Sequence, residues 1–99
     1  MAKLEKHLQK QCIDYLKSKG IYYINQFGHG WGAKGAPDLI CCINGMFVAF
    51  ELKIKGNTMQ PDQQIHKNRI QKNKGRHYCP TSIKEFIENI NEIKIGRCK

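Results

Sequence analysis

Asp38-Leu39-Ile40-Cys41-Cys42-Ile43-Asn44-Gly45-Met46-Phe47-Val48-Ala49-Phe50-Glu51-Leu52-Lys53-Ile54 is the stretch on which the architecture turns. Two β-prone apolar runs, 38–43 and 46–54, flank Asn-Gly, the dipeptide best suited to the two positive φ angles of a type I′ hairpin turn. With Asn44 and Gly45 as the turn, Ile43 pairs with Met46 and, counting outward, Asp38 faces Glu51. Opposed side chains on one hairpin face have Cβ atoms about 4.5–5.5 Å apart, so two carboxylates lie side by side. Lys53, two residues beyond Glu51, shares its face, while Cys41 and Cys42 point to opposite faces.

Upstream of the hairpin, Leu4, Leu8, Cys12, Tyr15 and Leu16 recur at three- and four-residue steps. They mark one stripe of an amphipathic helix over residues 3–19, closed by Gly20 as a C-cap. Residues 21–27, rich in β-branched and aromatic side chains, predict a strand, and a glycine-rich loop follows to Gly35. Downstream, Pro61 suits the first turn of a helix that carries Ile65 and Ile70 and stops at Gly75. His77 to Cys79 predict a short fourth strand. Ser82 with Glu85 makes a capping box ahead of the stripe Ile83, Phe86, Ile87, Ile90 and Ile93. The order α-β-β-β-α-β-α, with no repeat, linker or low-complexity segment, predicts one α/β domain over residues 1–99, a central mixed sheet flanked by helices.

The chain's 99 residues, 40% hydrophobic and 25% charged, suit one small globule whose modest core favours pairing with a second copy. Seventeen Lys and Arg against eight Asp and Glu leave a net charge of +9, which favours a polyanionic partner. No apolar run approaches the roughly 18–20 residues that span a bilayer, and no helix joins a basic face to large exposed apolar residues. A membrane partner is therefore disfavoured. Met-Ala-Lys-Leu-Glu-Lys-His at the start has no apolar core of a secretory signal, so an intracellular, cytoplasmic setting is expected. Five cysteines, with no C-x-x-C and no zinc-finger spacing, fit small buried hydrophobes better than a disulfide framework.

Adjacent carboxylates repel each other unless something compensates. A hard divalent cation does so well, since Mg²⁺ takes oxygen ligands and is usually held by one or two carboxylates together with substrate phosphate. The competing reading is a surface cluster in which Lys53 merely bridges both acids. The strand counts against it: Phe47-Val48-Ala49-Phe50-Glu51-Leu52 reads as a run buried on both faces, where a carboxylate needs a partner.

Gly35-Ala36-Pro37-Asp38 followed by Glu51-Leu52-Lys53 resembles the PD-(D/E)XK nuclease signature. The glycine before Pro-Asp, the Phe-Val-Ala-Phe-Glu-Leu-Lys strand and the downstream Gln63 are similar to the VRR-NUC (virus-type replication-repair nuclease) branch, in its stand-alone phage and bacterial form. The resemblance spans roughly residues 5 to 90. It implies a restriction-endonuclease-like core and a metal-dependent DNA endonuclease acting in replication, repair or recombination. Asp38, Glu51 and the Leu52 carbonyl would hold Mg²⁺, for which Mn²⁺ would substitute, and Lys53 would position the attacking water. Glu5 matches a glutamate near the metal on the family's first helix. Gln63 matches a glutamine on the helix after the motif strand, with Gln64 as the competing register. The resemblance further implies a homodimer, in a bacterial or phage-infected cell, and selectivity for branched DNA such as four-way junctions.

Lys34, Lys67, Arg69, Lys72, Lys74 and Arg76 are candidate phosphate contacts, against the alternative of a solvated helix face. No base-reading element is evident. Gly30-Trp31-Gly32-Ala33-Lys34-Gly35 matches G-x-G-x-x-G, but it precedes a strand rather than opening a helix, so no dinucleotide or other small organic cofactor is expected. Its glycines suit either close approach to a phosphate or a plain turn. Trp31 suits stacking on a base or packing on the core, and His29 contact with substrate or no role. His7, His66 and His77 lack ligand spacing. The rival function is a catalytically silent nucleic-acid-binding module, which would have no use for an acidic pair that repels phosphate.

Overall fold

A computed structural model describes residues 3–26, 34–54, 56 and 58–94. The elements run α1 (Lys3–Ser18), β1 (Tyr22–Asn25), β2 (Leu39–Ile43), β3 (Met46–Phe50), α2 (Pro61–Lys72), β4 (Arg76–Tyr78) and α3 (Ile83–Lys94). The strands form one mixed sheet in the order β1-β2-β3-β4, in which β1, β2 and β3 are a meander of antiparallel neighbours. The chain then crosses through α2 and lays β4 parallel to β3. This is the α-β-β-β-α-β-α order the sequence predicts, with a mixed sheet and helices against it.

The hairpin register is as counted: Ile43 opposes Met46 and Leu39 opposes Phe50. Asn44 and Gly45 have φ of 52° and 77°, the two positive angles that a type I′ turn requires. Gly20, at φ 66°, closes α1: its N–H donates to the Lys17 carbonyl and the Ile21 N–H to that of Leu16. The Ser82 hydroxyl accepts from the Glu85 N–H, and the Glu85 carboxylate reaches back to the Thr81 N–H and hydroxyl, so α3 is capped from both directions.

One face of the sheet carries the core. Leu39, Cys41 and Ile43 of β2 and Val48 and Phe50 of β3 pack with Leu8, Cys12 and Leu16 of α1 and Phe86, Ile90 and Ile93 of α3. Phe50 is its centre, with ring centroids 4.5 Å from Phe86 and 5.8 Å from Tyr78.

Three expectations are corrected, on the length of β3, the burial of Phe47 and the cysteines. The strand predicted over 46–54 ends at Phe50, because beyond it Leu52 gives its N–H to the Asp38 side chain instead of to a strand partner. Phe47 is not buried but 47% exposed, so the β3 run is closed on both faces only from Val48 onward. In α2 no residue is fully buried and Ile65 is 57% exposed: the helix lies on the sheet as a polar strap. Of the cysteines, Cys12 and Cys41 are buried, with thiols pushed up to about 12 by that burial, but Cys42 and Cys79 are exposed. Trp31, His29 and Cys98 lie outside the described residues. No described helix is long and apolar enough to cross a membrane.

Candidate active site

Strand alternation sends Phe47, Ala49, Glu51 and Lys53 to the sheet face opposite the core, and Asp38, one residue before β2, to the same face. Glu51 ends up 2% exposed, an ionisable group at the depth of the core. Its N–H donates to the Tyr78 carbonyl and that of Lys53 to Pro80, so β4 and its continuation hold this segment extended after the β2 ladder has ended. The Asp38 carboxylate takes the freed Leu52 N–H at 2.9 Å, which fixes its rotamer beside Glu51. The peptide joining Leu52 and Lys53 is trans. With the Lys53 N–H aimed at Pro80, the Leu52 carbonyl therefore points the other way, toward the Asp38 side.

The fourth side of the site comes from α2. Gln63 occupies the third position of the helix, where its Oε1 accepts the Gln60 N–H at 2.8 Å. Its Nε2 donates to Glu51 Oε2 at 2.9 Å. One glutamine thus both closes the start of the helix and orients the buried carboxylate. Gln64, in the competing register, points away and bonds Asn68. Gly35, at φ 82°, lies flat against this first turn: a Cβ there would sit 2.7 Å from the Asp62 carbonyl carbon and 2.9 Å from the Gln63 nitrogen. That glycine serves close approach to protein backbone, a reading the sequence did not offer. His66 Nε2 lies 3.0 Å from the Lys34 carbonyl, a second tie between the loop and α2.

The electrostatics are those of a crowded acid pair. Burial raises the Glu51 carboxyl to about 8, helped by the Asp38 carboxylate beside it, with the Lys53 charge pulling the other way. Asp38 is also raised, first by burial, and Glu5 adds a further negative charge from α1. Leu52 N–H, Glu51 and Lys53 oppose that rise. Glu51 Oε1 is buried with no hydrogen-bond partner. An acid pair with one member buried, an unused oxygen and a backbone carbonyl aimed beside it fits a hard cation. Among the described residues no three His, Cys, Asp or Glu side chains cluster closely enough to hold an ion by themselves. Any ion here would thus rest on two carboxylates and the Leu52 carbonyl.

Sequence reasoning missed two neighbours. Cys79 extends the strand pairing directly beside Glu51, whose charge, after burial, raises its thiol. Asp62 adds a negative charge felt by Glu51. Both come from the α2–β4 crossover, for which the sequence holds no spacing signal. The basic residues separate. Lys34 lies 3.9 Å from Asp62, beside a cleft of about 320 Å³ at the start of α2, and Lys67 is near enough to Cys79 to act on it electrostatically. Arg69 lines a different hollow with Phe47 and Ile70. Lys74 and Arg76 sit at the start of β4, on a hollow that Met46 also lines, away from the carboxylates.

A four-stranded mixed sheet with helices on it and an acid pair at the end of its central hairpin defines the class of fold. Among solved structures the chain is similar to one described as "VRR_NUC domain", with a TM-score of 0.76, 23% identity, and 91% of this chain and 97% of that chain covered. The fold is therefore that of a VRR_NUC domain, with the restriction-endonuclease-like core the sequence resemblance implies. No family model and no curated protein matches the sequence.

Proposed function

We propose that this chain is a divalent-metal-dependent nuclease that hydrolyses DNA phosphodiester bonds. The observation that carries the reading is the half-buried Asp38 set beside the buried Glu51, which has an unpartnered oxygen and lies two residues from Lys53. The likeness in fold to a VRR_NUC domain supports it independently. Asp38, Glu51 and the Leu52 carbonyl would hold Mg²⁺, or Mn²⁺ in its place. When bound, the ion supplies a Lewis acid that polarises the scissile phosphate and makes a water more acidic. Asp38 is held in place by the Leu52 N–H and Glu51 by Gln63, so neither carboxylate has to reorganise as substrate arrives. Lys53, as an ammonium, only donates: it aligns the water in line with the leaving oxygen and offsets the negative charge that grows on the phosphoryl group. Glu5 tunes Asp38 through its charge. Lys34 and Lys67 flank the site on the α2 side and suit phosphates on either side of the cut. Branched DNA is the proposed substrate, since nothing in the described structure offers a base-reading element, and a homodimer the proposed assembly.

A panel of labelled duplex, single-strand, flap, splayed-arm and four-way-junction DNA, with Mg²⁺, Mn²⁺ or EDTA, tests the reading. Cleavage should need metal and favour branched substrates. Lys53→Ala should lose about 10²–10⁴-fold in turnover while still binding Mn²⁺ by calorimetry, whereas Asp38→Asn should lose the metal. Full cleavage in excess EDTA would sink the mechanism, and linear duplex cut as fast as a junction would remove the branched preference. Binding without cleavage of any substrate would return the chain to a silent nucleic-acid-binding module.

A further inference from the structure

The face of the sheet that carries the carboxylates is polar only at one end. Along the hairpin register Tyr22, Cys42 and Phe47 form one row across β1, β2 and β3, and Ile24 and Ile40 begin the next. Helix α2 lies over β4 and leaves Tyr22, Ile24 and Phe47 open. Tyr22 is 68% exposed, Phe47 47% and Ile24 45%. A shallow hollow of about 310 Å³ runs over them, and a second of about 450 Å³ continues from Phe47 to Ile70 on α2. The rows extend to the edge strand β1, whose Tyr22, Tyr23, Ile24 and Asn25 include no charge or proline to guard it.

We propose that this outer face, centred on Tyr22, Ile24 and Phe47, is the surface on which two copies of the chain pack as a two-fold dimer. The proposal rests on the dimer of the proposed function and adds the face on which it forms. Size is compatible with it: two aromatic rings and two isoleucines present on the order of 400 Å² of apolar surface, within the roughly 300–600 Å² of the largest, often functional, patches on monomers. That would make the apolar centre of an interface whose standard size is about 800 Å² per partner. Charge selects the occupant. Two rows of strand residues without one charge are unusual in a chain of net +9, and DNA phosphates find no cation there. Two copies repel each other over most of their surfaces, and this face is where that repulsion is least. A two-fold contact uses the same patch on both sides, so an apolar surface is its own complement. Glu51 lies four residues from Phe47 on the same face, about 13 Å along the strand, so the two carboxylate sites would flank the interface. Arg69, on the rim of the second hollow, would then serve the dimer edge rather than a phosphate.

Light scattering on the full chain, wild type against Tyr22→Glu/Phe47→Glu and the milder Phe47→Ser, tests the face, with circular dichroism confirming that each variant is folded. Wild type should be dimeric at tens of micromolar, the double variant monomeric, and Phe47→Ser should dimerise at least tenfold more weakly. Alkylation followed by mass spectrometry gives a readout that needs no variant: N-ethylmaleimide should label Cys42 more slowly as protein concentration rises, with Cys79 unaffected. A folded double variant that remains dimeric would overturn the face but leave the dimer standing. A monomeric wild type would overturn both, and if it sedimented with phosphatidylglycerol vesicles through Phe47 the patch would belong to a membrane surface. Metal-dependent cleavage is scored separately, with Lys53→Ala as its control, so loss of the dimer and loss of the nuclease reading remain distinct results.

Discussion

Phe47 and Glu51 stand four residues apart on one face of β3 and its extended continuation, and each is placed against its chemistry. The phenylalanine is 47% exposed; the glutamate is 2% exposed. At the Glu51 end, α2 and the loop before Asp38 close over the sheet, with Gly35 pressed on the helix backbone and Gln63 bonded to the carboxylate. At the Phe47 end the same helix lies over β4, and Ile70, Arg69 and Gly75 line an open hollow beside the ring. A buried charge and an exposed aromatic both cost stability relative to the reverse arrangement. A domain of 99 residues has little stability to spare, so both placements point to selection for something other than the fold. The glutamate end reads as chemistry and the phenylalanine end as contact.

The largest expected effect breaks the polar end alone. Glu51→Gln should lower cleavage about 10²–10⁴-fold while making the metal-free chain more stable, because a neutral amide removes first the cost of burying a charge and then the like-charge repulsion with Asp38. A thermal melt without metal reads the second half, and a lower midpoint in the variant would mean the pair is a structural ion cluster after all. Next in size, Gly35→Ala should cut activity about tenfold or more, since the new Cβ pushes the Asp62–Gln63 backbone away and with it the bond to Glu51. Kinetics with Gly20→Ala as the comparison separates this from the general strain of a positive φ, because nothing stands within 4 Å of a Cβ at Gly20. Unchanged turnover in Gly35→Ala would show that Gln63 does not position the carboxylate.

The smallest effect sharpens the comparison through pH. Glu51 in the folded chain is raised to about 8 from 4.5, so the metal-free fold is favoured by the protonated acid and loses stability as pH rises from 4.5 to 8. His77, buried with both ring nitrogens unpartnered, is lowered to about 4 from 6.5, so its contribution is complete above 6.5 and is lost as pH falls toward 4. The two slopes oppose each other between 4.5 and 6.5, leaving a net fall between 6.5 and 8, at most about 1.4 kcal/mol per pH unit. Denaturant midpoints across that window should fall for wild type and stay level for Glu51→Gln. Saturating Mg²⁺ should flatten wild type as well.

Most of the site was legible because its main pair is local. Asn44-Gly45 can adopt the turn almost by itself, the turn sets the register, and the register brings Asp38 to Glu51 across only twelve intervening residues. The helix stripes of α1 and α3 were legible for the same reason, since each repeats the apolar spacing that its own core face demands. The strand that stops at Phe50 was not, because the switch of the Leu52 N–H to a side chain leaves no mark on hydrophobic periodicity.

By itself, then, the sequence determined what short-range geometry dictates: the turn, the caps, the alternation, the excess of positive charge, and a carboxylate set into an apolar strand. Only the tertiary structure decided where α2 lies. That placement chose Gln63 over Gln64 and used Gly35 to seat the helix. It parted Lys34 and Lys67 from Lys74 and Arg76, and it left Phe47 and Ile65 uncovered. The physical reason is that α2 is polar all round, with no apolar stripe to announce which side faces the sheet. Its position is set by hydrogen bonds and close backbone packing to partners far away along the chain, and such contacts have no period for a sequence to display.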